Sequence, residues 1–297
     1  MRHAILGAGG VGGLIGAALA KSGDDVTLVL RPEALASYPE TLALQSPFGN
    51  FSVPVKRVRE VTESYDVLWV TVKATHLDEA LQQAGNGENI GAIVPLLNGL
   101  DHVPLLRARF GDDRVVPATI GVESERVAPG QILQSSPSAR LSVASMGETR
   151  LGSTLEKLRT FGFVCQFIAD EQKMLWSKLA FLAPCALVTT ASGMPMGQVN
   201  AHPEWRKRAD DCVREACLAS AAVGTPLDPA AFIRFFDSMP AGARSSMQKD
   251  FAAGHPLELD AIAGPILRIA REHSLDAHVT TEMVRIIRGK AGPSVNI

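Results

Sequence analysis

Apolar positions near the N-terminus change their spacing at a cluster of glycines. Residues 4–6 form a short apolar run, and after the glycines the apolar residues recur at helical intervals through Leu14, Ala17 and Ala18. A second apolar run follows at residues 26–30. This order predicts a strand, a tight turn, a helix and a second strand.

The next part of the chain alternates between strand-like and helical patterns. Turn residues separate residues 42–45 from residues 51–58, which predicts a hairpin. Two nearly continuous apolar runs, residues 65–72 and 92–97, are typical of parallel strands that are covered on both faces. Strands that alternate with helices in this way predict a mostly parallel, doubly wound sheet. We expect the β-rich residues 115–168 to extend that sheet with antiparallel strands.

The strand-like alternation then disappears, and helical spacing dominates the rest of the chain. The predicted helices cover residues 171–190, 204–222, 230–236, 257–272 and 280–288. We therefore expect an α/β fold with an N-terminal Rossmann-type doubly wound sheet in residues 1–169 and an all-helical C-terminal domain in residues 170–297. A small-molecule site is expected where two such domains meet.

Composition narrows the classes of function. The 297 residues are 46% hydrophobic and carry a net charge of −2, so we expect a sizeable core and no general attraction to nucleic acid or an acidic membrane. The chain has no signal-peptide pattern and no apolar run of roughly 18 residues, which predicts a cytoplasmic protein without a membrane span. The four cysteines form no C-x-x-C and the histidines no H-x-x-x-H, so buried thiols and no metal are expected.

The glycine cluster predicts dinucleotide binding. Gly7, Gly9 and Gly12 form the pattern G-x-G-x-x-G between a predicted strand and a predicted helix. In that pattern the first glycine allows the sharp turn, the second lets the backbone approach a pyrophosphate, and the third lets the helix pack close to the strand. The amides of Gly10 and Val11, at the helix N-terminus, then face the phosphates. The alternative is a glycine turn with a purely structural role.

The ends of three predicted strands carry basic or amide side chains. An NAD site usually has an acidic residue about 20 residues past the glycines, whereas here the second strand ends at Arg31. A guanidinium suits the 2′-phosphate of NADP(H), which is the predicted cofactor; the alternative is an ordinary solvated arginine. Lys73 and Asn98 each follow an apolar strand, so we expect both to face the cofactor or the substrate.

The helical half contains a candidate proton donor. Lys178 lies on an otherwise apolar helix, and a lysine that faces a low-dielectric cleft has a lowered pKa and can act as a general acid near neutral pH. The same pattern also fits a lysine that points to water. Ser246 belongs to a polar helix start, and Glu258 precedes an apolar helix, where an N-terminal helix charge is the simpler interpretation.

Taken together, these motifs resemble the ketopantoate reductase family over nearly the whole chain. The motifs are the glycine turn with Arg31, Thr71-Val72-Lys73-Ala74, Leu97-Asn98-Gly99, Leu175-Trp176-Ser177-Lys178-Leu179, Ser245-Ser246-Met247-Gln248-Lys249-Asp250 and Glu258-Leu259-Asp260-Ala261-Ile262-Ala263-Gly264. The resemblance implies a Rossmann-type domain that binds NADP(H). It also implies that Lys73 and Arg31 contact this cofactor.

The resemblance further implies roles for four residues around the substrate. Lys178 would protonate the ketone oxygen while NADPH supplies hydride to the carbonyl carbon, and Glu258 would hold that oxygen and the position of the lysine. Asn98 would link the nicotinamide and the substrate, and Ser246 would bind the substrate carboxylate. A cation and donors placed in advance stabilise the alkoxide charge that develops during hydride addition.

Three positions depart from the family pattern. Leu182 and Ala186, one and two turns past the lysine, and Ala263 stand where members of the family commonly have asparagine. The loss of these amides removes hydrogen bonds to a polar substrate. Arg244, near the start of the polar helix, is a second candidate for binding the carboxylate, with a solvated arginine as the alternative.

We therefore predict an NADPH-dependent reduction of a 2-oxo acid to a 2-hydroxy acid. The resemblance implies the 2-dehydropantoate 2-reductase type, in which 2-dehydropantoate becomes pantoate in pantothenate biosynthesis. The alternatives are a related reductase or dehydrogenase with a more apolar carbonyl substrate and a non-catalytic NADP(H)-binding sensor. The expected partner is a small-molecule 2-oxo acid, and the apolar helical half is compatible with a homodimer.

Overall fold

Twelve strands and twelve α-helices follow one another along residues 1–291, which are the residues that the computed structural model describes. The strands are β1 (Arg2–Leu6), β2 (Asp25–Val29), β3 (Thr41–Ser46), β4 (Gly49–Pro54), β5 (Lys56–Val58), β6 (Tyr65–Val70), β7 (Ile90–Pro95), β8 (Ala118–Gly121), β9 (Ser124–Ala128), β10 (Gln131–Gln134), β11 (Arg140–Ala144) and β12 (Val164–Ile168). The helices are α1 (Gly10–Lys21), α2 (Pro32–Leu35), α3 (Leu77–Gln83), α4 (His102–Phe110), α5 (Glu148–Phe161), α6 (Glu171–Ser192), α7 (Met196–Ala201), α8 (Pro203–Ala222), α9 (Pro229–Asp237), α10 (Ser246–Ala252), α11 (Leu259–Glu272) and α12 (His278–Ala291).

The chain divides into two compact units. The first contains Met1–Leu97 and His102–Met174, and the second contains Asn98–Asp101 and the chain from Leu175 onward. All twelve strands lie in the first unit, and α7 to α12 lie in the second. The predicted combination of a Rossmann-type sheet and a helical C-terminal part is confirmed.

Five parallel strands form the central sheet of the first unit, in the order β5-β2-β1-β6-β7. Leu14 and Ile15 of α1 pack on one face of this sheet. Leu81 of α3 and Leu106 of α4 pack on the other face. In β6 every residue except Asp66 is buried, as expected for a parallel strand that is covered on both faces.

The antiparallel strands do not extend this sheet, so that expectation for residues 115–168 is wrong. The predicted hairpin β3–β4 is present, but it joins β10 and β9 in a second sheet, and β12, β11 and β8 form a third. Only one isolated bridge, between Ile93 and Val115, links this region to β7. The physical reason is that the parallel sheet covers only one face of α1, and the second sheet covers another. A Cβ on Gly13 would lie 2.3 Å from the Ile132 side chain, so the second sheet packs directly on that helix.

A buried polar network lies beneath the start of the parallel sheet. His3 is fully buried, and its Nε2 lies 3.3 Å from Oδ2 of Asp24. Trp69 Nε1 donates a hydrogen bond of 3.3 Å to His3 Nδ1. Because Nδ1 accepts this bond, the ring is neutral and carries its proton on Nε2. Burial lowers the pKa of His3 below its usual value, although the carboxylate of Asp24 opposes this effect.

The helices of the second unit surround one apolar core. The helices predicted from the sequence correspond to α6, α8, α9, α11 and α12, whereas α7 was not predicted. The core includes Trp176 and Leu187 of α6, Val213 of α8, Ile262 of α11 and Met283 of α12. Helix α8 contacts α7, α9, α11 and α12, and α6 contributes a long buried stretch to the same core.

By its length and composition, α6 is also the one described helix that could cross a membrane. However, 78% of its 18-residue apolar stretch is buried inside the fold. A core helix passes the same test, because a helix that packs against neighbours on nearly every side is apolar nearly all round. We therefore describe α6 as a core helix.

Candidate active site

The glycine turn after β1 has the geometry that its pattern predicts. Gly7 has a φ of +104°, a conformation that favours glycine. A Cβ on Gly12 would lie 2.3 Å from the carbonyl oxygen of Gly7, so only glycine lets α1 pack this closely. No atom lies within 4 Å of the corresponding Cβ position on Gly9, so its backbone faces open space. Open space at a helix N-terminus fits the pyrophosphate of a dinucleotide.

Three hydroxyl groups from other parts of the first unit hold carbonyl groups of this turn. The hydrogen bonds run from Thr71 Oγ1 to Gly7 O (2.7 Å), from the Tyr38 hydroxyl to Ala8 O (3.3 Å) and from Ser124 Oγ to Gly10 O (2.9 Å). These hydrogen bonds fix the backbone of the turn, and the amide of Gly9 donates to Gly7 O at 2.8 Å within it. Tyr38 and Ser124 were not predicted from the sequence, since no local pattern reports contacts over 30 and 114 residues.

Arg31 and Lys73 both follow strands of the parallel sheet. Arg31 is exposed at the start of α2, and within residues 1–291 its guanidinium has no hydrogen-bond or ion-pair partner. Lys73 is half-buried and precedes a short 3₁₀ helix, Ala74–His76. The guanidinium of Arg31 is therefore available to a phosphate group, and its contact with a cofactor stays a prediction.

Asn98 belongs to the helical unit, although it follows β7 of the parallel sheet. Its Nδ2 donates a hydrogen bond of 3.0 Å to Oε2 of Glu258. Gly99 has a φ of +83°, and a Cβ there would lie 2.2 Å from the carbonyl oxygen of Ala261 in α11. The glycine therefore lets this segment lie directly against α11. The fold thus joins two candidate residues that are 160 positions apart.

Glu258 is not a solvated charge at a helix start. The residue immediately precedes α11, but its side chain makes no capping hydrogen bond to that helix, and it is only 8% exposed. Its carboxylate accepts the amide of Asn98 instead. A buried carboxylate requires hydrogen-bonding partners, and such partners also fix its orientation.

Lys178 lies on the only open face of α6 within the described chain. Between residues 174 and 191, the incompletely buried side chains of this helix are Ser177, Lys178, Phe181 and Leu182. Burial lowers the pKa of Lys178 from its usual 10.5 to about 8, and the negative charge of Glu258 opposes this decrease. An ammonium group with this pKa is an effective proton donor near neutral pH.

The polar start of α10 is anchored to α6 by its first serine. Ser245 Oγ accepts the backbone amide of Gln248 at 3.1 Å, which caps α10. It also lies 2.8 Å from Thr189 Oγ1, which donates to the carbonyl oxygen of Cys185 at 2.7 Å. Ser245 therefore donates its own proton to Thr189. This connection between α10 and α6 was not predicted from the sequence.

Ser246 and Arg244, on either side of that cap, are exposed. Within residues 1–291, neither side chain makes a hydrogen bond or an ion pair, so the structure does not join them to Asn98, Lys178 or Glu258. Their hydroxyl and guanidinium groups are available to a ligand. Their proposed role in binding a carboxylate stays a prediction.

The three departures from the family pattern lie in apolar surroundings. Ala186 and Ala263 are 0% and 1% exposed and belong to the core of the helical unit. Leu182 is half-buried on the open face of α6. An amide at either buried position would need its own hydrogen-bonding partners, which apolar neighbours do not supply. The two alanines are therefore part of the core, whereas Leu182 presents an apolar side chain on the open face.

All four cysteines are buried, as predicted, and none forms a disulfide bond. Burial raises the pKa of the Cys165 and Cys217 thiols to about 11 and that of Cys185 to about 12. The thiolate is the reactive form of cysteine. These side chains therefore act as small apolar groups in the core.

Potential metal ligands meet in one place within residues 1–291, at the start of α12, where they are Glu215, Asp276 and His278. The carboxylate of Glu215 accepts the backbone amides of Val279 and Thr280 at 2.9 and 2.7 Å. These hydrogen bonds satisfy the free amides of the first turn of α12. The group thus has a structural role as a helix cap, and the expectation of no metal stays a prediction.

Comparisons with known proteins cover both parts of the chain. The family model described as Ketopantoate reductase PanE/ApbA matches residues 3–148, and its C-terminal counterpart matches residues 170–291. The uncharacterized oxidoreductase YkpB of Bacillus subtilis is 30% identical over 94% of this chain and 95% of its own length. The 2-dehydropantoate 2-reductase of Caulobacter vibrioides is 27% identical over 97% of this chain and 98% of its own length.

A solved structure shows that the fold is shared as well. The ternary structure of D-mandelate dehydrogenase with NADH and anilino(oxo)acetate matches with a TM-score of 0.89 at 19% identity, over 99% of each chain. The two family models together match most of the sequence, and the matched ranges contain all the motifs that carry the resemblance. The chain therefore belongs to the ketopantoate reductase family of oxidoreductases.

Proposed function

We propose that this protein reduces a 2-oxo acid to the 2-hydroxy acid with NADPH, as a 2-dehydropantoate 2-reductase does. The observation that carries the proposal is the environment of Lys178, whose pKa burial lowers to about 8 against the opposing charge of Glu258. Strongly perturbed pKa values cluster at functional sites, and a lysine with this pKa suits proton transfer near neutral pH. Membership of the family supports the reaction class, and the names of several relatives support 2-dehydropantoate as a substrate.

The first unit would hold the cofactor. The amides of Gly10 and Val11 at the start of α1 would bind the pyrophosphate, and the open space in front of Gly9 leaves room for it. The exposed guanidinium of Arg31 would bind the 2′-phosphate, and Lys73 would contact the cofactor from the end of β6. When bound, NADPH supplies the hydride for the carbonyl carbon.

The helical unit would supply the proton and orient the substrate. As negative charge develops on the carbonyl oxygen, the ammonium group of Lys178 donates one proton to it and becomes a neutral amine. Burial favours the neutral amine, so it assists this transfer. Glu258, held by Asn98, keeps the ammonium group in position through its negative charge and accepts a hydrogen bond from the product hydroxyl. Asn98 would also link the substrate with the nicotinamide.

The carboxylate of the substrate would bind at the start of α10. Ser246 and Arg244 are exposed there and have no partners within the described residues. A guanidinium binds a carboxylate through two parallel hydrogen bonds, and a serine hydroxyl adds one more. Ser245 fixes the local backbone because it caps α10 and bonds to α6.

A reductase for a more apolar carbonyl compound is the second candidate. It is favoured by Leu182, which is half-buried on the open face of α6 and offers no hydrogen bond to a polar substrate. A non-catalytic NADP(H)-binding sensor is the third candidate. It would bind the cofactor and turn over no 2-oxo acid.

The test is NADPH oxidation by the purified protein with 2-dehydropantoate and a panel of other 2-oxo acids. Lys178→Ala should lower kcat by about 100-fold or more while NADPH binding is retained. Lys173→Ala, which removes an exposed lysine from the same helix, is the matched control and should retain activity. Tight NADPH binding without turnover of any 2-oxo acid would refute the reductase and favour the sensor.

The cofactor preference requires its own comparison. Wild-type protein should use NADPH better than NADH, and Arg31→Ala should remove most of that preference by raising KM for NADPH alone. Equal use of both cofactors by the wild-type protein would contradict the role proposed for Arg31.

A further inference from the structure

The open face of α6 continues past Lys178 as an apolar surface. Phe181 and Leu182 follow the lysine by three and four positions and are half-buried, like the lysine itself. Residues with these spacings are neighbours on a helix surface, with Cβ atoms about 5–6 Å apart. The side-chain positions that neighbour Lys178 on the C-terminal side of this face are therefore apolar.

A second aromatic ring extends this surface. The ring of Phe235, on α9, meets the ring of Phe181 edge to face, with centroids 5.1 Å apart and an interplanar angle of 90°. Phe236 is fully buried and supports Phe181 from behind at a centroid distance of 6.0 Å. Phe235 itself remains 53% exposed. We call Phe181, Leu182 and Phe235 the aromatic patch.

The aromatic patch is placed for an aromatic ring that one CH₂ group joins to the reacting carbonyl carbon. In such a substrate, the ring lies a few bond lengths from the carbonyl oxygen. This distance is comparable to the separation of about 5–6 Å between the Cβ atoms of neighbouring positions on a helix. Aromatic rings pack favourably with centroids about 4.5–7 Å apart in edge-to-face or offset arrangements. If Phe181 and Phe235 hold the ring of the substrate, its carbonyl oxygen would lie beside Lys178.

We propose that the substrate is a 2-oxo acid with an aromatic side chain and that the aromatic patch binds this ring. The inference rests on the proposed function, because it takes Lys178 as the donor of the proton to the carbonyl oxygen. It adds a binding surface for the side chain of the substrate, which neither the carboxylate-binding residues nor the cofactor would contact. The patch presents no charged or hydrogen-bonding group, so it discriminates by size and aromatic character.

The test compares two substrates that differ only in the ring. Phenylpyruvate is pyruvate with one added phenyl group, and kcat/KM for NADPH-dependent reduction is measured for both. We expect phenylpyruvate to be preferred by about 10-fold or more. Phe235→Ala should lower kcat/KM for phenylpyruvate by about 10-fold, mainly through KM, and should change the value for pyruvate less than about twofold.

Two further variants keep the test independent of folding. Phe181→Leu retains an apolar side chain of similar volume and should reduce the preference for phenylpyruvate without loss of pyruvate reduction. Leu218→Ala removes another exposed apolar side chain, 51% exposed on α8, and should leave both substrates unaffected.

The possible results separate this inference from the proposed function. Reduction of both acids with equal kcat/KM, or an equal loss for both in Phe235→Ala, would overturn the aromatic patch and leave the reductase intact. Failure to reduce any 2-oxo acid would overturn both. Conversion of a dimer to a monomer by Phe235→Ala, with unchanged substrate preference, would assign the patch to a contact between copies of the chain and overturn the inference.

Discussion

Replacement of Glu258 by glutamine removes one negative charge near Lys178 and keeps a side chain of nearly the same size. In the wild-type protein, burial lowers the pKa of Lys178 to about 8, and the carboxylate of Glu258 limits that decrease. In the variant only burial acts, so the pKa falls further. A nearby opposite charge typically shifts a pKa by about 1–3 pH units, and we expect the lower end of this range, about 1.

The consequence for the reaction has a definite sign. Lys178 donates a proton, so activity is present below its pKa and is lost above it. In the wild-type protein, kcat/KM should decline above about pH 8, tenfold for each further pH unit. If the pKa of the variant is about 7, the protonated fraction at pH 8 falls from about one half to about one tenth, which is a fivefold loss in kcat/KM.

The assay is NADPH oxidation at saturating cofactor and limiting 2-oxo acid, measured from about pH 6 to about pH 10. Asp260→Asn is the matched control, because it removes a carboxylate two residues away whose side chain is 73% exposed. Its profile should coincide with that of the wild-type protein. If the pH at which kcat/KM declines is unchanged or higher in Glu258→Gln, the electrostatic role of Glu258 is refuted.

Three further predictions concern the sheet-bearing unit. Gly9→Ala should weaken NADPH binding at an unchanged thermal unfolding midpoint, whereas Gly12→Ala should lower the midpoint because its Cβ would lie 2.3 Å from backbone; equal midpoints would contradict this. Ser124→Ala removes the hydrogen bond to the turn and should raise the NADPH Kd about fivefold without affecting kcat; an unchanged Kd would rule out a positioning role. Because burial lowers the pKa of His3, stability should fall as the pH decreases below about 6.5, and His3→Gln should reduce this dependence of the unfolding midpoint; an equal dependence in both proteins would exclude His3 as its source.

Local sequence patterns were sufficient to predict elements whose burial is reflected directly in the order of their apolar residues. The apolar run of β6 and the helical spacing of α6 predicted both elements, because each is covered on nearly all sides. The structural roles of Gly7 and Gly12 in the turn were also accessible, since backbone conformation and close packing constrain these two positions directly.

Contacts between distant parts of the chain were not accessible from local patterns. The position of Asn98 after β7 indicated only an edge of the sheet, whereas the hydrogen bond to Glu258 depends on how Gly99 packs on α11. The hydroxyl of Ser124 approaches the glycine turn because the second sheet packs on α1, which the sequence did not predict. Nor could the sequence decide which of two adjacent serines caps α10, since both have the same side chain.

The segment Asn98–Asp101 has a consequence for exchange of genetic material among relatives. The helical unit is assembled from two separate stretches of the chain, and Arg268 pairs with Asp101 at the end of the shorter one. A single crossover between two homologous genes near residue 170 would therefore pair Asn98 from one parent with Glu258 from the other. Hybrids between relatives should therefore be more stable when residues 98–101 come from the same parent as the helices, because Gly99 and Asp101 both contact α11.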